Sequence, residues 1–260
     1  MDDDLLKTVE SSGLLPHLNT IKVFRQNKWS TLVSPYYEDS LSNSIRETDL
    51  IAERQYNSSD GPYDSSVQMN LQLFVECKFI KQKIVLWFDR LDKEKAIQSA
   101  GEQLQLIMAH RKSGDFLPEE LHHLQMEEVA KLFSTNNKED VIYKALNQCL
   151  HSQIHYRKHK RPFIHNFNEH QEVSTHIVHY PLIVCENFSN FSKIEFEESG
   201  GFSFSPLKDH FLLEINYRDD YFLIDVVDIN YLAVHLDSLD KEANKLMQAY
   251  SFKEFHLRSQ

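Results

Sequence analysis

The sequence predicts a single α/β domain built on a mixed central β-sheet flanked by helices, and the order of its patterns carries that expectation. Strand-like segments rich in β-branched and aromatic residues dominate up to residue 88; helical periodicity runs from about 92 to 156; strands return at 176, and a helix ends the chain. No repeat at a period of 20 to 50 residues is visible, which excludes a solenoid or propeller. With 6 glycines and 7 prolines in 260 residues and 41% hydrophobic side chains, the chain is neither low-complexity nor short of a core.

The elements follow in order. Residues 4–12 place Leu5, Leu6 and Val9 at helical spacing ahead of Gly13, a residue suited to ending a helix. Val23-Phe24 and Leu32-Val33 flank Gln26-Asn27-Lys28 and read as a hairpin or bent strand. Residues 45–54 alternate as one strand with Asp49 at its middle, and the polar run 57–62 is a loop. Segments 71–79 and 84–88 read as central strands. Ala96, Ile97, Ala100, Leu104, Ile107 and Met108 recur with a period near 3.6, so 92–110 is an amphipathic helix. Pro118 opens a second helix over about 118–133, and a third covers 138–156. Strands at 176–185, 211–217 and 221–227 and a helix at 237–250 complete the chain. The middle helices are expected on one face of the sheet, with the last strands extending an edge.

Charge and cysteine usage narrow the function. The formal net charge of −11 excludes a protein basic all over its surface, while leaving room for a local basic groove. Three widely spaced cysteines, Cys77, Cys149 and Cys185, form no CxxC pair and no disulfide framework, which points to a reducing compartment. The acidic start Met1-Asp2-Asp3-Asp4 is unlike a secretory signal, and no apolar run approaches the ~18 residues of a membrane span. The expectation is a cytoplasmic protein with no membrane contact.

The informative tripeptide is Glu76-Cys77-Lys78, the only Asp/Glu-x-Lys in the chain, set in its most strand-like stretch. Side chains alternate across a strand, so Glu76 and Lys78 share a face. A hairpin through residues 56–69 brings Asp49 beside them. Two carboxylates and an ammonium at a sheet edge suit a Mg2+ ion, which takes hard oxygen ligands and keeps waters for the substrate phosphate.

Asp49 followed after a hairpin by Glu76-x-Lys78 resembles the PD-(D/E)xK superfamily, the restriction-endonuclease-like nucleases. The stretch Arg46-Glu47-Thr48-Asp49-Leu50-Ile51-Ala52 with Leu73-Phe74-Val75-Glu76-Cys77-Lys78 is similar to bacterial members with a REiD…vECK arrangement. The resemblance covers residues 4–110, leaving 111–260 as a helical and strand extension of a domain spanning 1–260. It implies a restriction-endonuclease-like core and a metal-dependent deoxyribonuclease that acts as an endonuclease on DNA, in a bacterial restriction or phage-defence system. By the same resemblance Asp49 and Glu76 are metal ligands, the Cys77 backbone carbonyl is a third, and Glu10 is an additional acidic ligand. Lys78 orients the hydrolytic water, with Mg2+ as cofactor and Mn2+ as a substitute. Partners implied are DNA and, in a defence system, a second copy or another protein. Thr48 stands where the superfamily name has proline, and no Gln-x-x-x-Tyr follows in the next helix. The competing reading is a catalytically inactive nuclease-fold module serving as a protein-interaction or nucleic-acid-binding subunit.

Other residues attract weaker readings. Cys77 is a small core side chain. His151, His155 and His159 recur every four residues and mark a solvated or phosphate-facing helix face. Arg157, Lys158, Lys160 and Arg161 form the most basic stretch, a candidate nucleic-acid-binding patch with Tyr156 available to stack. Asp225 and His235 read as structural.

Overall fold

Long apolar strands need cover on both faces, and the computed structural model supplies it with helices above and below one sheet. It describes Asp4 and residues 7–9, 12–39, 43–57, 67–108, 121–131, 141–159, 174–198, 200–217 and 220–258. From Leu14 onward the helices are α1 (Leu14–Gln26), α2 (Lys93–Met108), α3 (His122–Gln125), α4 (Val141–His159) and α5 (Leu232–Arg258). The strands are β1 (Ser30–Val33), β2 (Tyr36–Asp39), β3 (Ser44–Glu47), β4 (Leu50–Asn57), β5 (Val67–Lys78), β6 (Ile84–Arg90), β7 (Glu128–Lys131), β8 (Ser174–Cys185), β9 (Phe191–Phe196), β10 (Phe202–Pro206), β11 (His210–Tyr217) and β12 (Asp220–Asp228). Among the described residues, ten strands form one mixed sheet in the order β1-β4-β5-β8-β12-β11-β7-β6-β9-β10, and β2 pairs with β3 as a separate hairpin.

Alternation divides the core between the two faces. Leu71, Leu73, Val75 and Cys77 of β5, with Tyr180 and Leu182 of β8, pack under α1 and α5. On the other face Ile183, Phe222, Ile224 and Val226 meet Ile142, Ala145, Leu146, Cys149 and Leu150 of α4. Those α4 positions follow the 3, 4, 7, 8 spacing of one buried helical stripe. All three cysteines are free and buried. No described helix is long and apolar enough to cross a membrane.

Several expectations need correction. Val23 and Phe24 belong to α1, whose buried positions Pro16, Thr20, Ile21 and Phe24 carry helical spacing; the strand begins only at Ser30. The expected strand 45–54 is broken at Thr48-Asp49 into β3 and β4, which belong to different sheets. The helix expected over 118–133 is a single turn, His122–Gln125, followed by β7. Val129 and Ala130 are adjacent and both fully buried, which an interior strand covered on both faces permits. The middle helices sit on opposite faces, since Ala96 of α2 packs with the α5 side whereas α4 covers the other. The last strands are interior: β8 pairs in parallel with β5, and β12 with β8, while β9 and β10 take the edge. Segment 71–79 is therefore central, but 84–88 lies several strands away from it. Of the helix expected over 4–12, Asp4 and residues 7–9 are helical, and Leu5, Leu6, Glu10 and Ser11 lie outside the described residues.

Candidate active site

Strand β4 starts one residue after Asp49, and its register against β5 pairs Leu50 with Val75. Glu76, Cys77 and Lys78 therefore run on beyond the end of β4, with β8 still alongside through Cys77↔Val184 and Lys78↔Cys185. The main chain turns at Thr48-Asp49 and is fixed there: the Asp49 carbonyl accepts from the Ser34 N–H at 3.0 Å and lies 2.9 Å from His17 Nε2. Ser34 takes a positive φ of 48° to make that approach.

This anchoring sets the Asp49 carboxylate in the gap left by β4. Its Oδ2 accepts from the Cys77 N–H at 2.8 Å, in place of a ladder partner. N–H and C=O of one strand residue point to the same side, so the Cys77 carbonyl also faces this open side, while the Lys78 carbonyl faces β8 and accepts from Glu186. The Lys78 ammonium donates to Glu76 Oε2 at 2.8 Å and lies 3.5 Å from Asp49 Oδ2. Gln148 of α4 accepts from the same ammonium at 3.3 Å, and the Asp49 N–H reaches Glu76 Oε1 at 3.4 Å.

Asp49, Glu76 and Lys78 are thus brought together as expected, with unequal exposure: the Asp49 side chain is 26% exposed, Lys78 15% and Glu76 0%. Burial, added to the neighbouring Asp49 charge, raises the Glu76 carboxyl to about 8 despite Lys78. Burial opposes the charge on Lys78, but Glu76 and Asp49 outweigh it and hold the ammonium above its ordinary value. Two carboxyl groups and a main-chain carbonyl on the same side thus gather around the Lys78 ammonium, an arrangement of hard oxygen donors. Cys77 buries its thiol in the core on the other face, and burial pushes that thiol up, out of nucleophilic use.

The remaining sequence candidates divide. Glu10, Lys160 and Arg161, and the side chain of Lys158, lie outside the described residues. The Arg157 guanidinium sits over the Phe222 ring, 5.2 Å from its centroid. Tyr156 is stacked on Phe74 with the rings 14° from parallel, and it also meets Tyr37, so its ring is engaged within the fold. Of the histidine face of α4, His151 and His155 are likewise packed, and the side chain of His159 lies outside the described residues. His151 Nδ1 lies 2.7 Å from Asp39 Oδ2, an atom that also accepts from Arg46, and His155 lies against Tyr37. The β2–β3 hairpin covers this face, and no feature of the local sequence announced that docking.

Comparisons with protein-family models, with curated proteins and with solved structures find no match for this chain. The class defined by the structure is accordingly an α/β protein with a large mixed sheet between helices and an acid–acid–lysine cluster at the sheet's open end.

Proposed function

We propose that this chain is a metal-dependent endonuclease with a restriction-endonuclease-like core, hydrolysing DNA phosphodiester bonds in a bacterial restriction or phage-defence system. The observation that carries the reading is the Lys78 ammonium lying between Asp49 and Glu76 where β4 ends and β5 continues. A strand interior rarely holds a fully buried carboxylate without a cation close by, and this one has a second acid beside it.

The donor set suits Mg2+. Asp49, Glu76 and the Cys77 carbonyl would hold the ion, and all three offer hard oxygen. When bound, the ion supplies Lewis acidity to the phosphodiester and a lowered pKa to the attacking water. The chain's own groups do the rest. Asp49 is the most exposed of the three, so an arriving phosphate would meet its side of the ion. Lys78, steadied by Gln148, offers its ammonium to the water and to charge developing on the phosphoryl oxygens. Glu76 would hold the ion as a carboxylate; without metal, burial raises its carboxyl to about 8, so ion binding near neutrality would release its proton.

The test is incubation of the purified chain with plasmid, linear and single-stranded DNA under Mg2+ and Mn2+. Cleavage that chelator abolishes is expected. Equal cleavage with and without chelator, or none on any of the three substrates under either metal, removes the reading.

A further inference from the structure

On the opposite face of the sheet from Glu76, and two strands away, four imidazoles surround one buried carboxylate. Asp225 of β12 pairs with Leu182 of β8, which pairs with Val75 of β5, so Asp225 lies roughly 10 Å across the sheet from Val75 at ~4.8 Å per strand. Its side chain shares a parity with Leu223 and Val227, which face α5, whereas Glu76 faces α4. The groups around it come from far apart in the chain: His122 and His123 of α3, His210 at the start of β11 and His235 of α5.

Every one presents the same nitrogen. His122 Nε2 lies 3.1 Å and His123 Nε2 2.8 Å from Asp225 Oδ2; His210 Nε2 lies 2.7 Å and His235 Nε2 4.0 Å from Oδ1. The atoms of each triad, His122-His123-Asp225 and His210-Asp225-His235, all lie within 4.8 Å of one another. Bonds of ~2.0–2.2 Å at tetrahedral angles set ligand atoms roughly 3.3 Å apart, the middle of this range.

Two further observations point to a ligand. His235 is 4% exposed, and its Nε2 has no hydrogen-bond partner although it faces the centre of the cluster. His122 is oriented from behind: its Nδ1 lies 2.8 Å from Glu242 Oε2, and Tyr180 donates to the other Glu242 oxygen. A carboxylate holding the far nitrogen of a histidine is the arrangement that orients metal-bound imidazoles. We infer that the cluster binds divalent transition ions of the zinc class through its two triads, His122-His123-Asp225 and His210-Asp225-His235, clamping α3 and α5 to the sheet, separately from the Asp49–Glu76 site.

The chemistry of the groups agrees. Imidazole nitrogens with one carboxylate favour zinc, cobalt or nickel over magnesium.

The test uses the full chain without an affinity tag. Metal content is measured as purified; the chain is then stripped with chelator and titrated with Co2+ and Zn2+, following visible absorption and thermal unfolding. The expected result is at least one tightly held equivalent of zinc, a visible cobalt spectrum of nitrogen and oxygen ligation, and a melting temperature raised by stoichiometric Zn2+. The signals should survive Asp49→Ala and His151→Ala and be lost in His123→Ala/His235→Ala. A parent that retains no metal and shows neither cobalt absorption nor a melting shift overturns the inference even if the double variant fails to fold. Signals lost in Asp49→Ala but kept in the double variant overturn it as well.

Discussion

At the scale of the residue, the proposed function divides the acid–acid–lysine cluster between holding an ion and acting on water. Asp49→Ala or Glu76→Gln should abolish Mg2+ binding, measured by calorimetry, because each removes one of two carboxylate ligands. Lys78→Ala should leave the ion bound and lower the cleavage rate by roughly 10²–10³, the usual cost of losing a group that stabilises developing charge. Glu76 also sets a pH dependence. Its folded pKa, about 8, lies above its ordinary 4.5, so its contribution to stability is full below the lower value and is lost as pH rises to the higher. Above about pH 8 without metal, Glu76→Gln should therefore melt higher than the parent. Mg2+ should narrow that gap by raising the parent alone; a parent that melts higher than the variant under chelator at that pH would contradict the buried ionised acid. Cys77→Ser should keep cleavage while losing about 1 kcal/mol of stability by denaturant unfolding, since it places a hydroxyl in an apolar layer. The three residues of this cluster were legible in the sequence because they are close in register and lie on adjacent strands. The histidines around Asp225 were not, because they gather from three separate elements and only tertiary packing makes them neighbours.

At the scale of the element, what the sequence showed depended on whether burial was one-sided. Helix α4 carries a single buried stripe and was readable to within a few residues. Strand β7, buried on both faces, looked like the continuation of a helix, and α1 hid behind a short apolar pair that mimics a strand. The β2–β3 hairpin was missed because its docking on α4 runs through polar groups: Asp39 accepts from Arg46 at 2.7 Å and meets His151 at 2.7 Å, with its side chain 1% exposed. Asp39→Ala should consequently cost about 3 kcal/mol in denaturant unfolding, the range for breaking a buried charged pair. The basic stretch that begins in the last turn of α4 is expected to track phosphate through Lys158, Lys160 and Arg161, because Arg157 rests on Phe222. Replacing those three by Ala should flatten the slope of log affinity for DNA against log salt by about 0.9 for each phosphate left without its cation. Adding Arg157→Ala should change that slope little.

At the scale of the whole molecule, one sheet carries two concentrations of titratable groups on opposite faces, joined through β8. The sequence conveyed an α/β chain with a mixed sheet, but strand order was hidden, because β8 inserts beside β5 nearly a hundred residues after it. Such non-local pairing leaves no trace in local periodicity. The net charge of −11 means that DNA would be held only where positive charge is concentrated, and under the proposed function a divalent ion between Asp49 and Glu76 would add it at the point of cleavage. The most direct measurement is nicking of supercoiled plasmid by the parent and by Glu76→Gln across a titration of Mg2+ and Mn2+. Cleavage by the parent that rises with metal and vanishes with chelator, and that no metal concentration restores in Glu76→Gln, is the predicted result. Equal cleavage by the two proteins, at any metal concentration, would contradict it.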